Sequence, residues 1–150
     1  MTPEAIRLVR STFAQILPVA DLAAGLFYDR LFSLDPSLRR LFASDLEPQK
    51  HALMAALGLV IGYLDRPDEL APVIEKLARR HAGYGVQPAD AATVGSALIW
   101  TLEQGLGPAF TAAVRAAWSD MFDMLATAIR AATESTDPVT EDEGATRREV

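Results

Sequence analysis

Prolines cut this chain into segments, and each segment repeats its apolar residues at helical rather than strand spacing. A proline at the first helical position gives up only a donor that had no partner there. Thr2-Pro3 opens a helix to about Leu17, with Ile6, Val9, Phe13 and Ile16 on one stripe. Pro18 interrupts, and a second helix runs to about Ser33 with Leu22, Phe27, Leu31 and the polar-tipped Tyr28. Asp35-Pro36 pairs a capping residue with a proline and starts a short helix through Leu41. After a loop from Phe42 to Glu47, Pro48 begins a helix to Leu64 that carries Leu53, Leu57, Val60 and Ile61. Asp65-Arg66-Pro67-Asp68 reads as a turn, followed by a helix from about Glu69 to Ala82. Gln87-Pro88 starts the next, to about Gln104, with Val94, Leu98, Ile99 and Leu102. Gly105-Leu106-Gly107-Pro108 stops and restarts the chain. The last helix, from Pro108 to about Thr133, carries Val114, Trp118, Met121, Phe122, Leu125 and Ile129.

Runs of β-branched residues are nearly absent, while Ala, Leu, Glu and Arg abound, so the fold class is all-α. At 150 residues the chain makes one domain. Seven or so helices of unequal length on short links suit helices crossing at about 50° around a pocket better than an up-and-down bundle. From Ser135 onward Thr, Glu, Asp and Gly take over, which predicts a globular domain over 1–134 and an acidic, disordered tail over 135–150.

Composition removes several kinds of chemistry. The chain has no cysteine, which excludes disulfides, thiolate metal sites, Fe–S clusters and covalently attached haem. Its longest apolar run, Ala52 to Leu64, is short of the roughly 20 residues a bilayer requires. Met1-Thr2-Pro3-Glu4 lacks the features of a signal peptide, so a cytoplasmic location is expected, with no membrane partner. A net charge of −6 with scattered arginines argues against nucleic acid as a partner.

Two histidines are the only candidates for an imidazole-ligated metal. Ile74, Leu77, Ala78 and His81 fall at i, i+3, i+4 and i+7, so His81 ends an apolar helical face just before Gly83 and Gly85. Such an imidazole suits iron or zinc. Taken alone, it reads first as a buried side chain bonded to a carbonyl. His51 lies about 200° round its helix from both Gln49 and Leu53, which points it to solvent if Leu53 faces the core. Gln49 shares the Leu53 face and can donate a hydrogen bond into an apolar pocket, although taken alone it reads first as a partly exposed residue near a helix start. Tyr28 places a phenol on an inner face with Ala24, Leu31 and Phe32, and taken alone it reads first as a core tyrosine bonded to a carbonyl. Phe42 can stack on a flat ligand or fill core.

At these residues the chain resembles a family, the single-domain bacterial haemoglobins of the flavohaemoglobin-like, myoglobin-like globin lineage. The resemblance spans about residues 2–134. Phe27-Tyr28-Asp29-Arg30-Leu31-Phe32 is similar to that group's second-helix signature, and Pro36 to Leu41-Phe42 to the segment whose Phe packs on haem. Gln49 with Leu53 resembles the distal helix. Arg79-Arg80-His81-Ala82-Gly83-Tyr84-Gly85-Val86 resembles the proximal segment, and Ala117-Trp118 the start of the last helix. Gln49 and His81 stand 32 residues apart, as in the family.

The resemblance implies a globin fold of about seven to eight helices around a haem pocket, with haem b held noncovalently. His81 is then the iron ligand, with Phe42, Leu53, Leu77 and Val86 against the macrocycle. Tyr28, Gln49 and Leu53 line the distal side, where O2, CO and NO bind at a pentacoordinate or water-bound iron. Two hydrogen-bond donors to bound O2 predict slow release and a role in O2 binding or storage. A second expectation is nitric oxide dioxygenase activity, which requires an external reductase because no reductase domain follows in this sequence. A gas or redox sensor is a third. The sequence also departs from the family where a Tyr and a Glu buttress the proximal His: those positions align with Ala91 and Ser135, with Glu134 adjacent. That departure predicts weaker peroxidase-type chemistry, because second-shell acceptors set how much electron density the ligand pushes to iron.

Overall fold

The Thr2 hydroxyl accepts from the Ala5 amide at 3.0 Å and caps the first helix, α1, Pro3–Ile16, with Pro3 at its first position. The structure, a computed structural model, describes the backbone of residues 1–148 and the side chains of residues 1–134. Five further α-helices follow: α2 Ala20–Leu34, α3 Glu47–Gly62, α4 Pro67–Gly83, α5 Ala91–Leu106 and α6 Ala112–Arg148. No strand occurs among the described residues.

Six α-helices are fewer than the seven to eight expected. The difference lies at the prolines. Leu17–Val19, Pro36–Leu41, Pro88–Asp90 and Gly107–Ala109 are 3-10 turns, not α-helix. Proline's fixed φ suits either helix type, and short capped pieces close with i→i+3 bonds. Asp35 caps the second of these turns through the Ser37 amide at 3.1 Å. Pro67 begins α4 two residues earlier than the expected start, and Pro72 lies inside that helix. The backbone of α6 continues past Thr133. The tail expected over 135–150 falls on residues whose side chains lie outside the described ones.

Helix α2 packs most extensively on α5, and α4 and α1 both pack on α6. Two apolar clusters result. One gathers Val9, Phe13, Ile16, Val60, Leu102, Trp118 and Met121, with Leu77 packed against it. The Trp118 ring N–H donates to the Thr12 hydroxyl at 2.8 Å, and that hydroxyl donates on to the Leu8 carbonyl at 2.7 Å. The buried indole is therefore satisfied across the α1–α6 contact. The second cluster contains Phe27, Tyr28, Leu31, Leu38 and Ala97, with Phe42, Leu53, Val94 and Leu98 against it.

Candidate functional site

Helix α4 ends in a Schellman motif, and this motif fixes the position of the candidate ligand. Val86 N–H bonds the His81 carbonyl at 3.2 Å and Gly85 N–H the Ala82 carbonyl at 3.1 Å. The αL position is Gly85, at φ +82, whereas Gly83 remains helical. Gly85 is thus the residue that stops the helix. A Cβ there would lie 3.7 Å from Leu41 Cδ2, so the corner after α4 rests against the end of the Pro36–Leu41 turn. Val86 is half-buried beside it.

Along α4, Ile74 and Ala78 are buried and Leu77 and His81 half-buried, as one apolar face requires. The His81 Nδ1 sits 2.7 Å from the Leu77 carbonyl oxygen. A carbonyl only accepts, so Nδ1 carries a proton, and in the neutral ring Nε2 is the nitrogen with the free lone pair. His51 is exposed.

In the second apolar cluster, Tyr28 is 5% exposed and its hydroxyl donates to the Gln49 backbone carbonyl at 3.3 Å. Burial, with a smaller contribution from Tyr84, pushes its pKa up to about 12. Phe27 and Phe42 meet the Tyr28 ring edge-on, at 4.8 and 5.5 Å between centroids. Phe42 in turn lies 5.6 Å from Phe32. Gln49 is half-buried at the start of α3, and no side-chain bond commits its amide among the described residues. Leu53, one turn on, lines an apolar cavity of about 30 Å³ together with Phe27, Leu98 and Trp118.

The structure thus brings Tyr28, Phe42, Gln49 and Leu53 together around one aromatic cluster, with Leu77, His81 and Val86 on and just after α4. Sequence reasoning missed Arg39. Its guanidinium donates to the carbonyls of Phe42, Ala43 and Ser44 at 3.2, 3.0 and 3.2 Å and lies over the Phe32 ring. Arg39 therefore holds the loop that presents Phe42. A basic residue in the last turn of a short helix was the one available signal.

An all-helical fold with a histidine closing one apolar helix face and a buried phenol bonded to the backbone at the start of another helix is the class of the globins. Residues 25–129 match the Globin family model, and the chain belongs to the globin family. The flavohemoprotein of Bordetella parapertussis is 31% identical over 129 residues, covering 84% of this chain and 32% of its own length. The chain thus spans about a third of the flavohemoproteins it matches. Neuroglobin of Tetraodon nigroviridis is 32% identical over 114 residues, 67% of this chain and 72% of that protein.

Among solved structures, one is an engineered carbene transferase made from a Rhodothermus marinus protein that its description proposes to be a nitric oxide dioxygenase. It superposes with a TM-score of 0.83 at 26% identity, covering 94% of this chain and 99% of that one. A bacterial globin of Campylobacter jejuni superposes at 0.81 with 18% identity, over 91% of this chain and 99% of its own, a likeness of fold. Globins ordinarily bind haem, and no described helix is long and apolar enough to cross a membrane.

Proposed function

We propose that this chain is a cytoplasmic haem b protein whose main role is high-affinity binding of O2, with CO and NO as further ligands. The observation that supports this best is the 2.7 Å contact from His81 Nδ1 to the Leu77 carbonyl. It leaves the Nε2 lone pair available and fixes the ring's orientation, as a metal-ligating histidine requires. Phe42, Leu53, Leu77 and Val86 supply apolar surface for a flat macrocycle. Haem iron, when bound, coordinates diatomic gases reversibly.

Tyr28 and Gln49 are the donors on the distal side in this reading. With its pKa near 12, Tyr28 keeps its proton at neutral pH and can donate it. Its present bond, to the Gln49 carbonyl at 3.3 Å, is long and readily exchanged for a better acceptor. A hydrogen bond to a charged acceptor is worth about 1.5–3 kcal/mol, or roughly ten- to hundredfold in affinity. Two donors imply slow O2 release and discrimination against CO, a poor acceptor.

A second reading is conversion of nitric oxide and O2 to nitrate with an external reductase. The likeness to the Rhodothermus marinus protein and to flavohemoproteins favours it. Binding ranks first because, among the described residues, the Nδ1 partner of His81 is a neutral carbonyl, and position 91, where the family places a buttressing tyrosine, is alanine.

The test is the visible spectrum after haem addition, in ferric, reduced, O2-exposed and CO-exposed samples. A Soret band that responds to both gases, and is lost or altered in His81→Ala, is the expected result. No Soret shift on haem addition would refute the haem reading. Nitric oxide consumption measured with and without a reductase then separates binding from catalysis.

A further inference from the structure

Between the distal candidates and solvent lies a cation that the proposed function does not use. Lys50 follows Gln49 on α3, and its side chain is only 19% exposed. It does not extend into water. It lies across α2, where a Cβ built on Gly25 would be 3.6 Å from Lys50 Nζ and 3.7 Å from Cε. Asp21, Gly25 and Asp29 repeat at four-residue intervals, so the two carboxylates share that face of α2, one turn to either side of the lysine. On its own helix, Lys50 Nζ is 2.9 Å from Glu47 Oε2. The Glu47 bond raises the Lys50 pKa most, and the charges of Asp21 and Asp29 raise it further. Glu47 is thus the carboxylate paired with the ammonium, and Asp21 and Asp29 flank it along α2 from beyond ion-pair distance.

Tyr28 is the next turn of α2 beyond Gly25, and its bond to the Gln49 carbonyl is the neighbouring point of the same crossing. We propose that Lys50 is a positioning residue, an ionic strap that holds the start of α3 across Gly25 and so keeps Gln49 over the Tyr28 hydroxyl. The long Tyr28–Gln49 bond is the contact that loosens first when the strap is cut. The consequence for bound gas rests on the haem reading. The consequence for Tyr28 does not, which lets the two be tested apart.

The experiment compares Lys50→Met, which keeps the stem and removes the charge, with Lys50→Arg and wild type. The first readout is the Tyr28 ring signal of the haem-free protein at pH 7, where Lys50 is charged, by NMR of ring-labelled tyrosine with Tyr28→Phe to assign the signal among the three tyrosines. Lys50→Met should move that signal toward the position of a solvent-exposed tyrosine as water reaches the hydroxyl, and Lys50→Arg should keep it. The second readout is O2 release from the haem-loaded protein, expected to quicken about tenfold in Lys50→Met, as for one weakened charge-assisted hydrogen bond.

An unchanged Tyr28 ring signal at pH 7 in a Lys50→Met protein of normal helicity would overturn the proposal and leave Lys50 an ordinary surface cation. If Lys50→Arg falls with Lys50→Met, shape rather than charge sets the crossing, and the ionic strap is again refuted. Should Lys50→Met not fold, the Asp21→Asn, Asp29→Asn double variant carries the same test with the lysine in place. If haem does not bind at all, the haem reading fails, while the Tyr28 ring signal at pH 7 still decides the strap.

Discussion

Above about pH 10 the Tyr28 hydroxyl should make folding stability depend on pH. In the unfolded chain a tyrosine titrates near 10, whereas burial holds Tyr28 near 12. Between those values the unfolded state binds fewer protons, so the stability present below pH 10 is lost as pH rises through 12. The loss is about 3 kcal/mol in all. Tyr28→Phe should abolish that component, which urea titrations of both proteins at pH 9 and pH 11.5 would reveal as a gap that closes with pH. If the two curves stay parallel, the hydroxyl is not held protonated by burial. At this scale residue type and spacing were informative: a phenol, an amide and an imidazole on apolar faces stand out in the sequence. Lys50 and Arg39 did not stand out. Their partners are a glycine face on another helix and three loop carbonyls, which no local pattern announces.

Helix starts were legible because proline and capping residues act locally, and helix ends were less so. Two glycines, Gly83 and Gly85, could each have stopped α4, and only the bonding of Val86 to the His81 carbonyl selects Gly85. Gly85→Ala should destabilise the protein by about 1 kcal/mol or more, because an L-residue pays for φ +82. Urea unfolding measures it, and an unchanged midpoint would mean that the corner has another low-energy form. Gly83→Ala, at a helical position with open space around it, should be neutral or stabilising in the same assay. The 3-10 turns were read as helix starts because proline's φ fits both. Whether the next amide reaches back three residues or four depends on where the neighbouring helix lies.

For the molecule as a whole, haem binding and stability are linked. A ligand that binds only the folded state adds about 4 kcal/mol at a thousandfold excess over its dissociation constant. Haem should therefore raise the Tm of the wild-type chain by several degrees and raise that of His81→Ala much less. Equal shifts would point to nonspecific adsorption on apolar surface. The sequence by itself determined the all-α class, the order of the helical segments and which faces are apolar, because period, capping and proline chemistry are properties of short stretches. It also singled out His81, since a lone imidazole at the end of an apolar stripe is visible without any tertiary contact. Only the tertiary structure decided the crossings: α2 on α5, α4 on α6, and Lys50 laid over Gly25 between two aspartates. Those depend on side chains from helices distant in sequence meeting in one place. The direction of the Tyr28 hydroxyl and the proton on His81 Nδ1 were decided there too, because each is set by the carbonyl that packing brings within reach.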